Sequence, residues 1–122
     1  MFIRLVVGAD HEDHRHLTGL VTEAKLLRRS GVLTANEEAV LEEHYEWLNK
    51  HLPCPPYSSS GWPRTVAAWF KDSAVEPIRH LRAIGTLLEE HGLQVRMLRS
   101  KNPGKVHYED AFQVVVHEWN SL

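Results

Sequence analysis

Residues 65–77 read TVAAWFKDSAVEP, and how this stretch folds decides the architecture. Its first six residues suit a short buried strand, although two alanines would also permit a helix to start there. KDSAVEP then announces a helix: Ser73 and Glu76 are spaced as a capping box, and Pro77 is tolerated in a first turn. Ile78, Leu81, Ile84 and Leu88 form the buried stripe of that helix. Gly85 permits close approach to whatever lies beneath, and His91-Gly92 closes it.

Upstream, Phe2–Val7 is apolar and branched, interrupted only by Arg4, and Gly8 ends it: a strand mostly buried in a sheet. Leu17, Leu20, Val21, Ala24 and Leu27 follow the spacing of a helix with one buried stripe, stopped by Gly31. TANE, residues 34–37, is a capping box for a second helix with the stripe Leu41, Tyr45, Leu48 and Leu52, ended by Pro53. Its face of Glu38, Glu42, Glu43 and Glu46 reads as a solvated surface.

Downstream, LQVRML alternates like a strand, Asn102-Pro103-Gly104 signals a turn, and VHYE and FQVVVHEW read as further strands. The order is therefore β-α-α-β-α-β-β-β. The expected fold is α+β, a single mixed sheet of four to five strands with three helices packed on it. Parallel pairing through a right-handed crossover is expected for the second and third strands.

Residues 1–122 are long enough to bury one core, so a single domain is expected, with a Pro/Ser-rich connection at 53–64. Loops this long are usually functional or mobile. The 43% apolar and 25% charged residues are ordinary globular values. A formal net charge of -2 offers no cationic face for nucleic acid. Up to Trp62 there are six Lys/Arg against nine Asp/Glu, and after it eight against seven, too even a division to name a partner. The single cysteine, Cys54, excludes an internal disulfide, and the first apolar stretch is too short for a signal or a membrane span. A cytoplasmic location is expected.

The densest chemistry is ADHEDHRH, residues 9–16. If the first helix begins near Asp10, the α-helical step places Asp10, Asp13 and His14 within about 60° of the buried stripe, with His11, Glu12 and Arg15 outward. Carboxylates plus imidazole suit a divalent metal, Zn or Mn, or a general base. Capping and helix-dipole roles explain the same acids. Were the first two strands parallel, Lys71 and Asp72 would emerge beside this trio. The catalytic candidates are then His14, Lys71 and Asp72, and the metal candidates Asp10, Asp13 and His14.

Trp62 in the Ser-Gly-Pro loop is a candidate anchor for a partner or second subunit. Arg96 and Arg99, with Lys101 and Lys105 and with Arg79 and Arg82 on the third helix, make the best case for an anionic partner. Edge-strand protection by cationic residues explains them equally.

From Trp69 onward, WFK, EHG, PG and YEDAFQVV occur in an order that resembles the C-terminal half of a group of small uncharacterised bacterial proteins. The resemblance implies a bacterial cytosolic protein and carries over no activity or functional residues. The reading that follows is a non-enzymatic binding or interaction module, a homodimer, without a cofactor, whose partner is a protein or a small anionic ligand. The competing reading is a metal-dependent hydrolase or nuclease built on Asp10, Asp13 and His14.

Overall fold

A computed structural model describes residues 1–8, 18–58, 61–63 and 65–119. The elements in chain order are β1 (Phe2–Val7), β2 (Thr18–Gly19), α1 (Leu20–Arg29), α2 (Ala35–His51), β3 (Ala67–Lys71), α3 (Val75–Glu90), β4 (Val95–Ser100), β5 (Gly104–Glu109) and β6 (Gln113–Glu118). The fold is α+β, with three helices and one sheet. Apart from the two-residue β2, the element order is the expected one.

The sheet runs β4-β1-β3-β6-β5, with β2 sharing the β3 side of β1. All its ladders are antiparallel. The expected direct pairing of the second and third long strands is therefore corrected. β3 and β4 do point the same way, but β1 lies between them and hydrogen-bonds to both. This is the split β-α-β arrangement, in which α3 spans an inserted central strand. β1, apolar at Ile3, Leu5 and Val7, is paired along its whole length by β4 on one edge and over parts of the other edge by β3 and β2.

Period-two alternation divides the sheet into two faces. The helices cover the face bearing Leu5, Val7, Phe70 and Val95, against Leu20, Ala24, Leu41, Leu48, Leu81, Ile84 and Leu88. Gly85 provides the close approach its position suggests: a Cβ there would stand 3.3 Å from Val95 Cγ1. On the other face Val6, Trp69, Leu98, Val114 and Val116 pack together. There the Arg4 guanidinium pairs with Glu118 Oε1 at 3.1 Å, while Trp69 Nε1 donates to Glu118 Oε2 at 3.1 Å.

Helix ends follow the local chemistry in part. Thr34 and Glu37 form the reciprocal capping box, and Gly31 at φ +79° follows α1. At α3 the cap is corrected: Ala74, not Ser73, is the N-cap and no side chain caps it, while Glu76 pairs with Arg79 instead. The buried position of Ala74 beside Ile3 and Ile78 explains the shift, since packing fixes where that helix begins. Helix α1 starts at Leu20 after an extended Gly19; Leu17 and Asp10, on which the expected helical phase rests, lie outside the described residues.

Where α2 meets α3, His44 Nδ1 and His80 Nδ1 lie 2.8 Å apart, so one ring must donate and the other accept. His80 and His51 both stack on Trp47, with centroids 4.1 and 4.3 Å away. Burial, then the neighbouring His44, Arg79 and His51, hold the His80 imidazole below its ordinary range, with Glu76 opposing them. A histidine with a folded pKa below its unfolded value contributes stability that is complete above about pH 6.5 and declines as pH falls through that value. We expect the urea midpoint to fall between pH 7.5 and 5.5, and to fall less in His80→Asn. Equal slopes in the two proteins would remove this pair as the cause.

Candidate functional site

The site begins with a break in the sheet. β1 pairs with β3 only through Phe2–Lys71 and Ile3–Phe70, then with β2 through Val6–Gly19 and Val7–Thr18. Arg4 and Leu5 between these stretches have a ladder register only towards β4, and Ala67 and Ala68 only towards β6. β1 and β3 thus diverge into a fork. The Arg4–Glu118 pair reaches across that fork on the face away from the helices.

On the helix side the fork opens into a cavity of about 640 Å³. That volume falls in the range of small-molecule sites. Leu5, Phe70, Leu20, Leu48 and Leu81 give it an apolar lining, and the methyl-sized Ala67 and Ala68 leave the fork open. The segment from Leu52 to Tyr57 forms one border, which assigns a structural role to the proline-rich connection. Pro53 ends α2 and directs that segment along the cavity.

The polar residues of the wall are few. Lys25 and Glu42 lie towards the exposed side, and Glu42 accepts from the Arg28 guanidinium at 2.7 Å. Tyr45 stands one helical turn before Asn49. The Tyr45 hydroxyl is buried and has no hydrogen-bond partner among the described residues. Burial, reinforced by Glu42 and opposed by Arg28, raises the pKa of this phenol, so it is a neutral donor at physiological pH. Deeper in, Gln113 is 4% exposed, the one buried polar side chain among the described residues. Its Nε2 donates to the Pro53 carbonyl at 3.0 Å and to Asp110 Oδ2 at 3.1 Å, tying β6 to the cavity border.

The residues expected from sequence are placed differently. Asp10, Asp13 and His14, the metal trio, lie outside the described residues. Among the described residues no group of three or more His, Cys, Asp or Glu side chains is placed to hold a metal ion. Lys71 and Asp72 sit at the end of β3 opposite Phe2. Lys71 pairs with Glu109 at 2.7 Å, and the Asp72 amide donates to the Met1 carbonyl. Because β3 runs antiparallel to β1, they lie at the start of β1, roughly 20 Å along the strand from Gly8 at ~3.3 Å per residue. The shared sheet edge expected for the two loops is therefore corrected.

Trp62 is half-buried, with the Tyr57 and His107 rings at centroid distances of 6.2 and 6.0 Å. Arg96 and Arg99 are three residues apart on β4 and so point to opposite faces. Arg99 joins Arg79 and Arg82 on the helix face, whereas Arg96 is half-buried on the other. Cys54 is an exposed free thiol on the cavity border.

Tyr45, Ala67, Ala68 and Gln113 were hidden in the sequence because each fits its element's ordinary pattern. The one available signal was the phenol at Tyr45: a helix stripe otherwise made of leucines carries a hydroxyl that must find a partner once buried. Comparison with protein-family models, curated proteins and solved structures finds no match to this chain.

Proposed function

We propose that the protein is a small-molecule-binding module whose ligand occupies the cavity at the β1/β3 fork. The observation that carries this reading is a mostly apolar cavity whose wall includes Tyr45, a residue with a buried, unpartnered hydroxyl. A buried hydroxyl without a partner costs about 1–3 kcal/mol, so a folded protein retains one where a ligand completes it. The ligand is a largely apolar molecule with one oxygen that accepts from Tyr45, and Lys25 near the exposed side favours a carboxylate there. Binding without chemistry also fits the wall, whose described residues pair no nucleophile with a base.

The test separates binding from stability. Tyr45→Phe keeps the ring and removes the unpartnered group, so the free protein should gain about 1 kcal/mol. Aliphatic and aromatic carboxylates screened by thermal shift should include compounds that raise Tm in the native protein, because a ligand of the folded state stabilises it. Their affinity should fall roughly tenfold in Tyr45→Phe, the equivalent of one hydrogen bond. Ala68→Leu should abolish binding by filling the fork. No stabilising compound, or binding indifferent to both substitutions, would overturn the proposal.

A further inference from the structure

At the far end of the sheet from β5, β4 is paired on one side only among the described residues. The Gly8 amide donates to the Gln94 carbonyl at 3.0 Å, which fixes the phase of the β1–β4 ladder. Antiparallel alternation then turns the backbone groups of Arg96, Leu98 and Ser100 towards β1, and those of Val95, Met97 and Arg99 outward. Beside this edge a groove of about 350 Å³ runs between β4 and α3. Ile3, Val75, Ile78 and Met97 form its apolar part, and Val75 is 66% exposed. Arg79, Arg82 and Arg99 surround them.

The acids nearby leave two of these arginines, Arg82 and Arg99, uncompensated. Glu76 is taken by Arg79, and Asp72 lies 3.8 Å from the terminal amine of Met1. Among the described residues neither Arg82 nor Arg99 is in an ion pair; Arg99 Nη2 lies against Met97 Sδ at 3.4 Å.

We propose that the β4 edge is a docking site for an extended acidic-apolar segment of a partner protein, which adds to the sheet as a further strand. The outward backbone groups of Val95, Met97 and Arg99 would supply main-chain hydrogen bonds, the basis of strand addition. Alternate side chains of the added strand would fall on the helix face. There one apolar residue covers Val75 and Met97, and a carboxylate two positions along meets Arg82 and Arg99. Charge selects this occupant over a second copy of the chain: a two-fold β4–β4 pairing would put the uncompensated Arg82 and Arg99 of both copies on one face. Like charges so placed cost several kcal/mol at an interface.

The probe is a fluorescein-labelled decapeptide in which every second residue is in turn valine and glutamate, with threonine between them, so that both kinds share one face of the strand; it is titrated against the full chain by anisotropy. Controls replace glutamate by lysine, or N-methylate alternate amides to block strand pairing. The acidic peptide should bind and protect the amides of Val95, Met97 and Arg99 from hydrogen exchange. The lysine peptide should bind at least about 100-fold more weakly, from attraction turned to repulsion. N-methylation should weaken binding at least roughly tenfold, because an added strand depends on its main-chain bonds. Arg82→Glu and Arg99→Glu, each checked for native circular dichroism, should each cost about tenfold and make binding less sensitive to salt. No binding at millimolar peptide, binding indifferent to N-methylation or to peptide charge, or protection outside β4 would overturn the proposal. So would a concentration-dependent dimer in sedimentation that protects the same three amides.

Discussion

Gly104→Ala is expected to destabilise the fold by about 3 kcal/mol, lowering Tm by roughly 10 °C, the upper range for forcing an extra methyl group into packed structure. A Cβ at this position would stand 2.2 Å from the His117 carbonyl oxygen, 2.7 Å from its carbon and 2.8 Å from Glu118 Cα. All three are backbone atoms of β6, so no side-chain rotation relieves the overlap. Nor can β6 slide away. Its Val114, Val115 and Val116 are fully buried, and its other edge is laddered to β3 from Ala67 to Phe70. The relief must come from β5, which would lose its Gly104–Glu118 and Lys105–His117 pairs. Gly19→Ala is the control. That residue has φ -60° and open space around a Cβ, so its substitution should change stability by less than about 0.5 kcal/mol. Thermal and urea unfolding by circular dichroism would measure both, and a Gly104→Ala loss below about 1 kcal/mol would contradict the packing argument.

That pair of glycines shows how much the sequence discloses. Asn102-Pro103-Gly104 is a turn signal, but the three residues joining β4 to β5 make a bend between strands that are not sheet neighbours, and the glycine is needed for its close approach to β6. Local signals were legible where a short segment satisfies its own backbone: the Thr34/Glu37 box, the Gly31 stop and the stripes of α2 and α3. Partners across the sheet were not, because register depends on which apolar strand sits between which others. β3 and β4 each carry the pattern of a strand that could pair with the other, and the more apolar β1 takes the place between them. The extent of α1 was misread for a related reason. Thr18 and Gly19 pair with Val7 and Val6, and the helix begins only at Leu20.

The cavity was the least legible feature, because no contiguous segment builds it. It needs β1 to change partners after Ile3, two alanines with small side chains at the fork, and a proline-directed loop from the end of α2. Each of these is unremarkable by itself. Their meeting depends on the tie between β6 and Pro53, and that tie rests on one acid.

Asp110→Ala is expected to cost about 3 kcal/mol, because several donors lose their acceptor together, at ~1–3 kcal/mol for each that stays buried and unpaired. Asp110 Oδ1 accepts from the Phe112 and Gln113 amides at 2.8 and 3.1 Å, closing the β5–β6 turn in the manner of an Asx turn. Oδ2 accepts from the Tyr108 hydroxyl at 2.9 Å and from Gln113 Nε2 at 3.1 Å. Without the carboxylate the Gln113 amide is no longer held towards the Pro53 carbonyl, so the cavity border loosens and carboxylate ligands should bind more weakly. Asp110→Asn should fall between Ala and the native residue: its oxygen can still serve the two backbone amides, while its amide group opposes Gln113 Nε2. The pH dependence identifies the cause. Burial pushes the Asp110 carboxyl upward, but the hydrogen bonds from Phe112, Gln113 and Tyr108 outweigh it and hold the pKa below its ordinary value. A carboxyl shifted in this direction contributes stability above its unfolded pKa of about 3.9, and that contribution is lost as pH falls through the lower folded value. The native protein should therefore lose more stability than Asp110→Asn between pH 5 and pH 2.5 in urea titrations. Parallel loss in the two proteins would assign acid sensitivity to other carboxylates, and the Asp110 knot would then be geometric rather than ionic.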